Sequence, residues 1–252
     1  MHFQKLLAAA LFSGFTIGAA NAAPVIIFEN DFDSPTGFSG NSTGVSNQSV
    51  NSLFGSAFAQ TFTVETIDVN NPQYSNPPGA GGNFVLGMFS NAQNDLLSIT
   101  FDVGALSFVN VRMDISSIDL NCCGGPFLTP GAIPIFELSL LDTPGGSFNI
   151  NNPGSFTSLA SDTMTGTASD PFVFDFTTHT VALSTTGNTD GNVTLLIDLL
   201  QGDYAAFDDI IVASSDIAGQ TGSVPEPGSL ALFGMGLLGL GAFVRRKKPS
   251  TL

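Results

Sequence analysis

Carboxylates cluster at both ends of the region between residues 23 and 220: Glu29, Asp31 and Asp33 near its start, Asp208 and Asp209 near its finish. Calcium takes six to eight oxygens, mostly from carboxylates and carbonyls on segments that meet. These five side chains supply such a set only if the first and last strands are neighbours. A second chemical feature is Cys122-Cys123, set between Asn121 and Gly124-Gly125-Pro126. Adjacent cysteines close only a strained ring, with a Cα spacing below the usual disulfide range. The flanking glycines tolerate the backbone this ring demands. With no third cysteine in the chain, a vicinal disulfide is favoured over two intermolecular bridges or a reduced pair. Zinc is a poor fit, because two adjacent thiols and the one histidine after residue 22, His179, do not make a tetrahedral set.

Catalytic patterns are sparse. His179 sits in Thr177-Thr178-His179-Thr180, and the chain has no G-x-S-x-G elbow, so it reads as a strand-edge histidine rather than a triad base. Glycoside hydrolysis needs two carboxylates across a cleft, and the glutamates reduce to Glu29, Glu65, Glu137 and Glu226. The expectation is a protein that is not an enzyme, with a secreted hydrolase as the third option. Sugar binding asks for an exposed aromatic platform. Trp is absent, so Tyr74, in a loop rich in Pro and Asn, is the candidate glycan platform, whereas Tyr204 caps the last strand.

What must position these residues is a set of strands. Leu97, Ile99, Phe101 and Val103 alternate with polar neighbours, as do Val109, Val111, Met113 and Ile115, and later Val193, Leu195, Ile197 and Leu199. Such alternation sends one face to a core and the other to solvent. Shorter runs occur at 25–28, 57–69, 83–89, 133–141, 156–163, 172–176, 179–184 and 204–213, separated by turns such as Asn76-Pro77-Pro78-Gly79 and Thr189-Asp190-Gly191-Asn192. About ten strands without a helical repeat predict an all-β fold, a single antiparallel β-sandwich of jelly-roll type over 23–220.

Charge narrows the partners. The 252 residues carry six Lys+Arg against 21 Asp+Glu, a formal net charge of -15. Between residues 23 and 224 the only cation is Arg112, against twenty carboxylates, a formal charge of -19. Such a surface repels phosphate backbones, which excludes nucleic acid, and leaves divalent cations or neutral glycans as partners. The hydrophobic content of 43% is too high for a disordered acidic tail.

The remaining cations belong to the two ends. Residues 1–22 have the form of a secretory signal: Lys5, an apolar run to Ala19, and Ala20-Asn21-Ala22 before a mature start at Ala23. Signal peptidase and the secretion machinery are the implied partners. Residues 221–252 combine Val224-Pro225-Glu226-Pro227, an apolar run from Ser229 to Val244, and the membrane stop Arg245-Arg246-Lys247-Lys248. As a helix, that run reaches about 24 Å, short of a hydrocarbon core near 30 Å, with the basic cluster on the cytoplasmic side. The expected ends are therefore a signal helix and a C-terminal transmembrane helix.

The proline motif, short span and basic tail together resemble the PEP-CTERM sorting signal of Gram-negative exopolysaccharide and biofilm producers. That resemblance implies exosortase as a partner that recognises Val224–Pro227 and removes the tail. It implies a precursor anchored in the inner membrane, then a cell-surface or matrix protein associated with extracellular polysaccharide. The alternative is a specific carbohydrate-binding module. Asn30-Asp31-Phe32-Asp33 and Tyr204–Val212 also resemble the opening and closing elements of galactose-binding-like jelly rolls. There, first and last strands lie together and often hold a structural calcium. By this resemblance Asp33 and Asp208 are the first ligand candidates, with Glu29 and Asp209 behind them.

Overall fold

Alternation places the core where it is expected. In the computed structural model, Leu97, Ile99, Val109, Val111, Met113, Ile115, Val193, Leu195 and Ile197 are all at most 2% exposed. They join Phe136, Leu138, Phe207 and Val212 in one continuous cluster. The structure describes residues 22–33, 48–49, 57–60, 65–68, 82, 84–90, 96–117, 132–168, 170 and 173–222. The signal sequence, Tyr74, Cys122-Cys123 and everything from residue 223 onward, including the sorting motif and basic tail, lie outside them.

Twelve strands are described: β1 (Val25–Asn30), β2 (Gln48–Ser49), β3 (Ala57–Gln60), β4 (Glu65–Asp68), β5 (Phe84–Ser90), β6 (Leu96–Asp102), β7 (Phe108–Ser117), β8 (Ile135–Asp142), β9 (Thr157–Thr165), β10 (Thr177–Ser184), β11 (Asn192–Gln201) and β12 (Tyr204–Ser215). They form two six-stranded antiparallel sheets. One runs β10-β7-β12-β5-β4 with β1 also on β12, and the other runs β2-β3-β6-β11-β8-β9. Taken alone, β5 to β12 give the orders β5-β12-β7-β10 and β6-β11-β8-β9, the interleaving of an eight-stranded jelly roll. The all-β sandwich is thus the observed fold. Among the described residues, no helix is long and apolar enough to cross a membrane.

Two runs differ from expectation. The stretch 57–69 contains two strands, and they sit in opposite sheets: β3 pairs with β6, β4 with β5. Alternation tells which face a residue takes but not which sheet. The run 172–176 is irregular over its described part. Its aromatics pack on each other instead, with Phe174 1% exposed and its ring stacked on Phe176 at 5.6 Å.

The outer faces differ in chemistry. On the β11 sheet, Leu96, Leu141 and Leu196 are covered by Phe148, Ile150 and Phe156 from the β8–β9 connection. On the β12 sheet, the outward phase of β7 is polar: Asn110, Arg112 and Asp114. Asn110 is itself buried, its side-chain amide donating to Ser215 Oγ at 2.9 Å and the Ile217 carbonyl at 3.2 Å, while Gly219 N–H donates to its Oδ1 at 2.6 Å. The turn after β12 therefore folds across one end of this face and leaves the Arg112–Asp114 end to the site below.

Candidate functional site

The first and last strands are neighbours. β1 pairs antiparallel with β12, from Val25↔Ser214 to Asn30↔Ile210. The segment after β1 turns sharply. Asn30 Oδ1 accepts from Phe32 N–H at 2.6 Å, and Asp31 Oδ1 from Asp33 N–H at 3.2 Å. Phe32 takes φ 53°, a left-handed value uncommon outside glycine. Burial repays that strain: Phe32 is 1% exposed and packs edge-on against Phe207, ring centroids 5.8 Å apart. Driving Phe32 inward brings Asp33 back over β12.

On β12 the decisive feature is a bulge. Asp208 pairs with Asp114 of β7 and Ile211 with Arg112, so Asp209 and Ile210 together oppose Met113. Asp209 has φ 47°, the left-handed value that the first residue takes in a G1 bulge, usually as glycine. The extra residue turns two adjacent aspartates different ways: Asp208 is buried at 3% exposure and Asp209 is exposed.

Asp208 Oδ1 accepts the Asp209 N–H at 2.8 Å. Burial first, then repulsion from Asp209, Asp33 and Asp114, pushes its carboxyl up to about 8. Asp209 is raised as well, by burial and by Asp114, against the lowering pull of Arg112. One carboxylate oxygen of Asp114 is buried without a hydrogen-bond partner. Gly82, at φ 48°, sits against the Asp33 carboxylate where a Cβ would collide with it.

Among the described residues, no three His, Cys, Asp or Glu side chains are grouped to hold a metal ion. Asp33, Asp114 and Asp209 are nonetheless all electrostatic neighbours of Asp208, so carboxylates from the first and last strands lie near one another.

Beside the bulge lies an open cleft of about 580 Å³ lined by Glu29, Asn30, Asp31, Arg112, Asp209, Ile210 and Ile211, within the size range of ligand pockets. Its central row runs across four strands as Glu29–Ile211–Arg112–Thr180. Among the described residues the Arg112 guanidinium has no hydrogen-bond partner, and its electrostatic neighbour is Asp209. Glu29 and Asp209 thus line the cleft, while Asp33 and Asp208 do not, although Asp33 is an electrostatic neighbour of both aspartates. Sequence reasoning did not assign Arg112 or Asp114 to the site. Their signal was present in β7, whose outward phase reads Asn-x-Arg-x-Asp and holds the single cation of residues 23–224.

His179 lies on edge strand β10, its Nε2 2.9 Å from Thr177 Oγ1, as a strand-edge histidine. Tyr204 is buried at the start of β12.

Fold and ends together define the class: an antiparallel β-sandwich carrying an export and sorting signal. Residues 223–247 match the PEP-CTERM protein-sorting motif. The chain therefore carries a C-terminal signal for exosortase-dependent export, with exosortase as its processing partner. No curated protein matches the chain. Several solved structures are similar at low identity. One is the CBM22-1–CBM22-2 tandem domain of Xyn10C from Paenibacillus barcinonensis, 10% identical over 80% of this chain and 48% of that one, TM-score 0.44. Another is the K2 cleaved adhesin domain of Lys-gingipain, 14% identical over 73% and 96%, TM-score 0.42. A third is TmCBM61 in complex with β-1,4-galactotriose, 9% identical over 62% and 85%, TM-score 0.35. At these values the likeness assigns no ligand to this chain.

Proposed function

We propose that this is a non-enzymatic surface or matrix protein: a sandwich exported, anchored briefly at the inner membrane, released by exosortase and retained in extracellular polysaccharide. The observation that carries it is the sorting motif at 223–247 behind a sandwich whose only cation is Arg112. A charge of -19 over residues 23–224 resists adhesion to anionic membranes once the tail is gone. The test is mass spectrometry of the protein recovered from its host, with and without exosortase. The expected result is a mature start at Ala23 and loss of the basic tail only when exosortase is present. Recovery of the intact tail from the matrix fraction of the normal host would overturn the release step.

A second reading, a specific carbohydrate-binding module, is favoured by the cleft beside Arg112, which offers donors and acceptors within one pocket. A glycan array separates the two: saturable binding to a defined glycan supports the module, and diffuse retention supports the matrix role. Tyr74→Ala tests whether the loop tyrosine is the platform.

A further inference from the structure

The guanidinium of Arg112 is the feature that needs an explanation. A cation in so acidic a domain finds ready ion-pair partners, and Arg112 shares its cleft with Glu29, Asp31 and Asp209. Yet among the described residues it makes no hydrogen bond. Its five N–H donors, fixed in a planar fork, line an open cavity of about 580 Å³ over the apolar floor of Ile211.

The lining discriminates between ligand classes. A polyanion meets three carboxylates around one guanidinium and a domain that repels it at long range. A bare polyamine gains the carboxylates but leaves the guanidinium fork unmatched and faces its repulsion. A metal ion lacks a convergent set among the described residues. What satisfies both halves is a ligand that presents a hydroxyl oxygen to Arg112 and, a few ångströms away, an ammonium to the carboxylates. A sugar with an amine and a hydroxyl on adjacent carbons has that layout. Charge-assisted hydrogen bonds on both sides would hold it.

We propose that the Arg112 cleft is a binding site for a hexosamine residue with a free amine, in a partly or fully de-acetylated amino-sugar polysaccharide. Arg112 donates to the sugar hydroxyl, Asp209 and Asp31 accept from the ammonium, and Glu29 closes the outer side. This rests on the polysaccharide reading above and narrows it to a cationic matrix polymer.

The test is calorimetric titration of the detergent-solubilised full chain with β-1,4-glucosamine hexamer, its fully N-acetylated counterpart, cellohexaose and an oligogalacturonate. The free-amine hexamer is expected to bind tightest, with affinity falling as salt rises. Arg112→Gln and Asp209→Asn are each expected to weaken it by about tenfold or more. Asp162→Asn, on exposed edge strand β9, should change it by less than about twofold. Circular dichroism checks that each variant is folded, and the exposed Asp31→Asn serves if Arg112→Gln is not. Equal binding of the acetylated hexamer or cellohexaose overturns the free-amine proposal and leaves the polysaccharide reading standing. Tight binding unchanged by the cleft variants overturns the location. Binding of none of the four overturns the proposal and leaves the carbohydrate-binding module to the glycan array.

Discussion

Asp208 and Asp209 are adjacent in sequence and live in different media. The bulge buries one and leaves the other exposed on the cleft, with Asp33 and Asp114 acting on both. With its carboxyl raised to about 8 from an ordinary 3.8, Asp208 keeps its proton in the folded state where the unfolded chain has already lost it. Between those values the folded state binds more protons, so stability falls as pH rises across that window and levels off outside it. Asp209, also raised, acts in the same direction. Thermal melts from pH 4 to pH 9 are therefore expected to show a falling Tm toward the alkaline side. Asp208→Asn, which mimics the protonated acid, should flatten the slope, by up to about 1.4 kcal/mol per pH unit. A slope that survives the substitution refutes the assignment. If calcium binds between the first and last strands, adding Ca²⁺ after EDTA raises Tm and Asp208→Ala abolishes the rise; an unchanged Tm removes calcium from this position. The acidic bookends were legible as a pair in the sequence. Their division was not, because a single-residue bulge leaves no mark on alternation.

The elements around that bulge succeed by local chemistry that the sequence only partly displays. Asn30 and Asp31 accept backbone hydrogens two residues on, a turn signal that Asn and Asp often give. Phe32 looks like one apolar residue among charges, and nothing local says that it enters the core. Its ring closes a chain of edge-on contacts, Phe32 to Phe207 to Phe136, at 5.8 and 6.0 Å. Phe32→Ala is expected to cost roughly 3–5 kcal/mol in denaturant unfolding, and to free the β1 end from the cleft. A loss below about 1 kcal/mol would mean the aromatic contacts do not hold β1. At the opposite turn, between β11 and β12, Gly202 has φ 114°, and a Cβ there would come within 2.5 Å of Pro134 Cα. Gly202→Ala should therefore destabilise by about 1–3 kcal/mol or more, measured the same way; a neutral substitution contradicts the packing. The central strands were the most legible part of the fold, since β6, β7 and β11 alternate over seven residues or more. The 57–69 run was the least, since two short strands in opposite sheets carry the same pattern as one long one.

At the scale of the whole molecule, cations are segregated. Five of the six belong to residues 1–22 or to the basic tail, and Arg112 alone lies in the sandwich. This was fully legible from composition, as was the sorting function at 223–247. The cleft was not, because three strands distant in sequence had to be aligned first. The remaining cation also has an address: the interior of β7, paired on one side to Thr180 of β10 and on the other to Ile211 of β12. Proteases that cut after Lys or Arg need their target as a free extended segment. Between Ala23 and Gly222 they are offered one bond, locked between two hydrogen-bonded strands. Trypsin is thus expected to leave this stretch uncut below the melting transition and to split it at Arg112 only above, as gel and mass analysis would show. With both ends removed as proposed, the remaining stretch would offer peptidases that cut after Lys or Arg a single site, and that site is held inside a sheet.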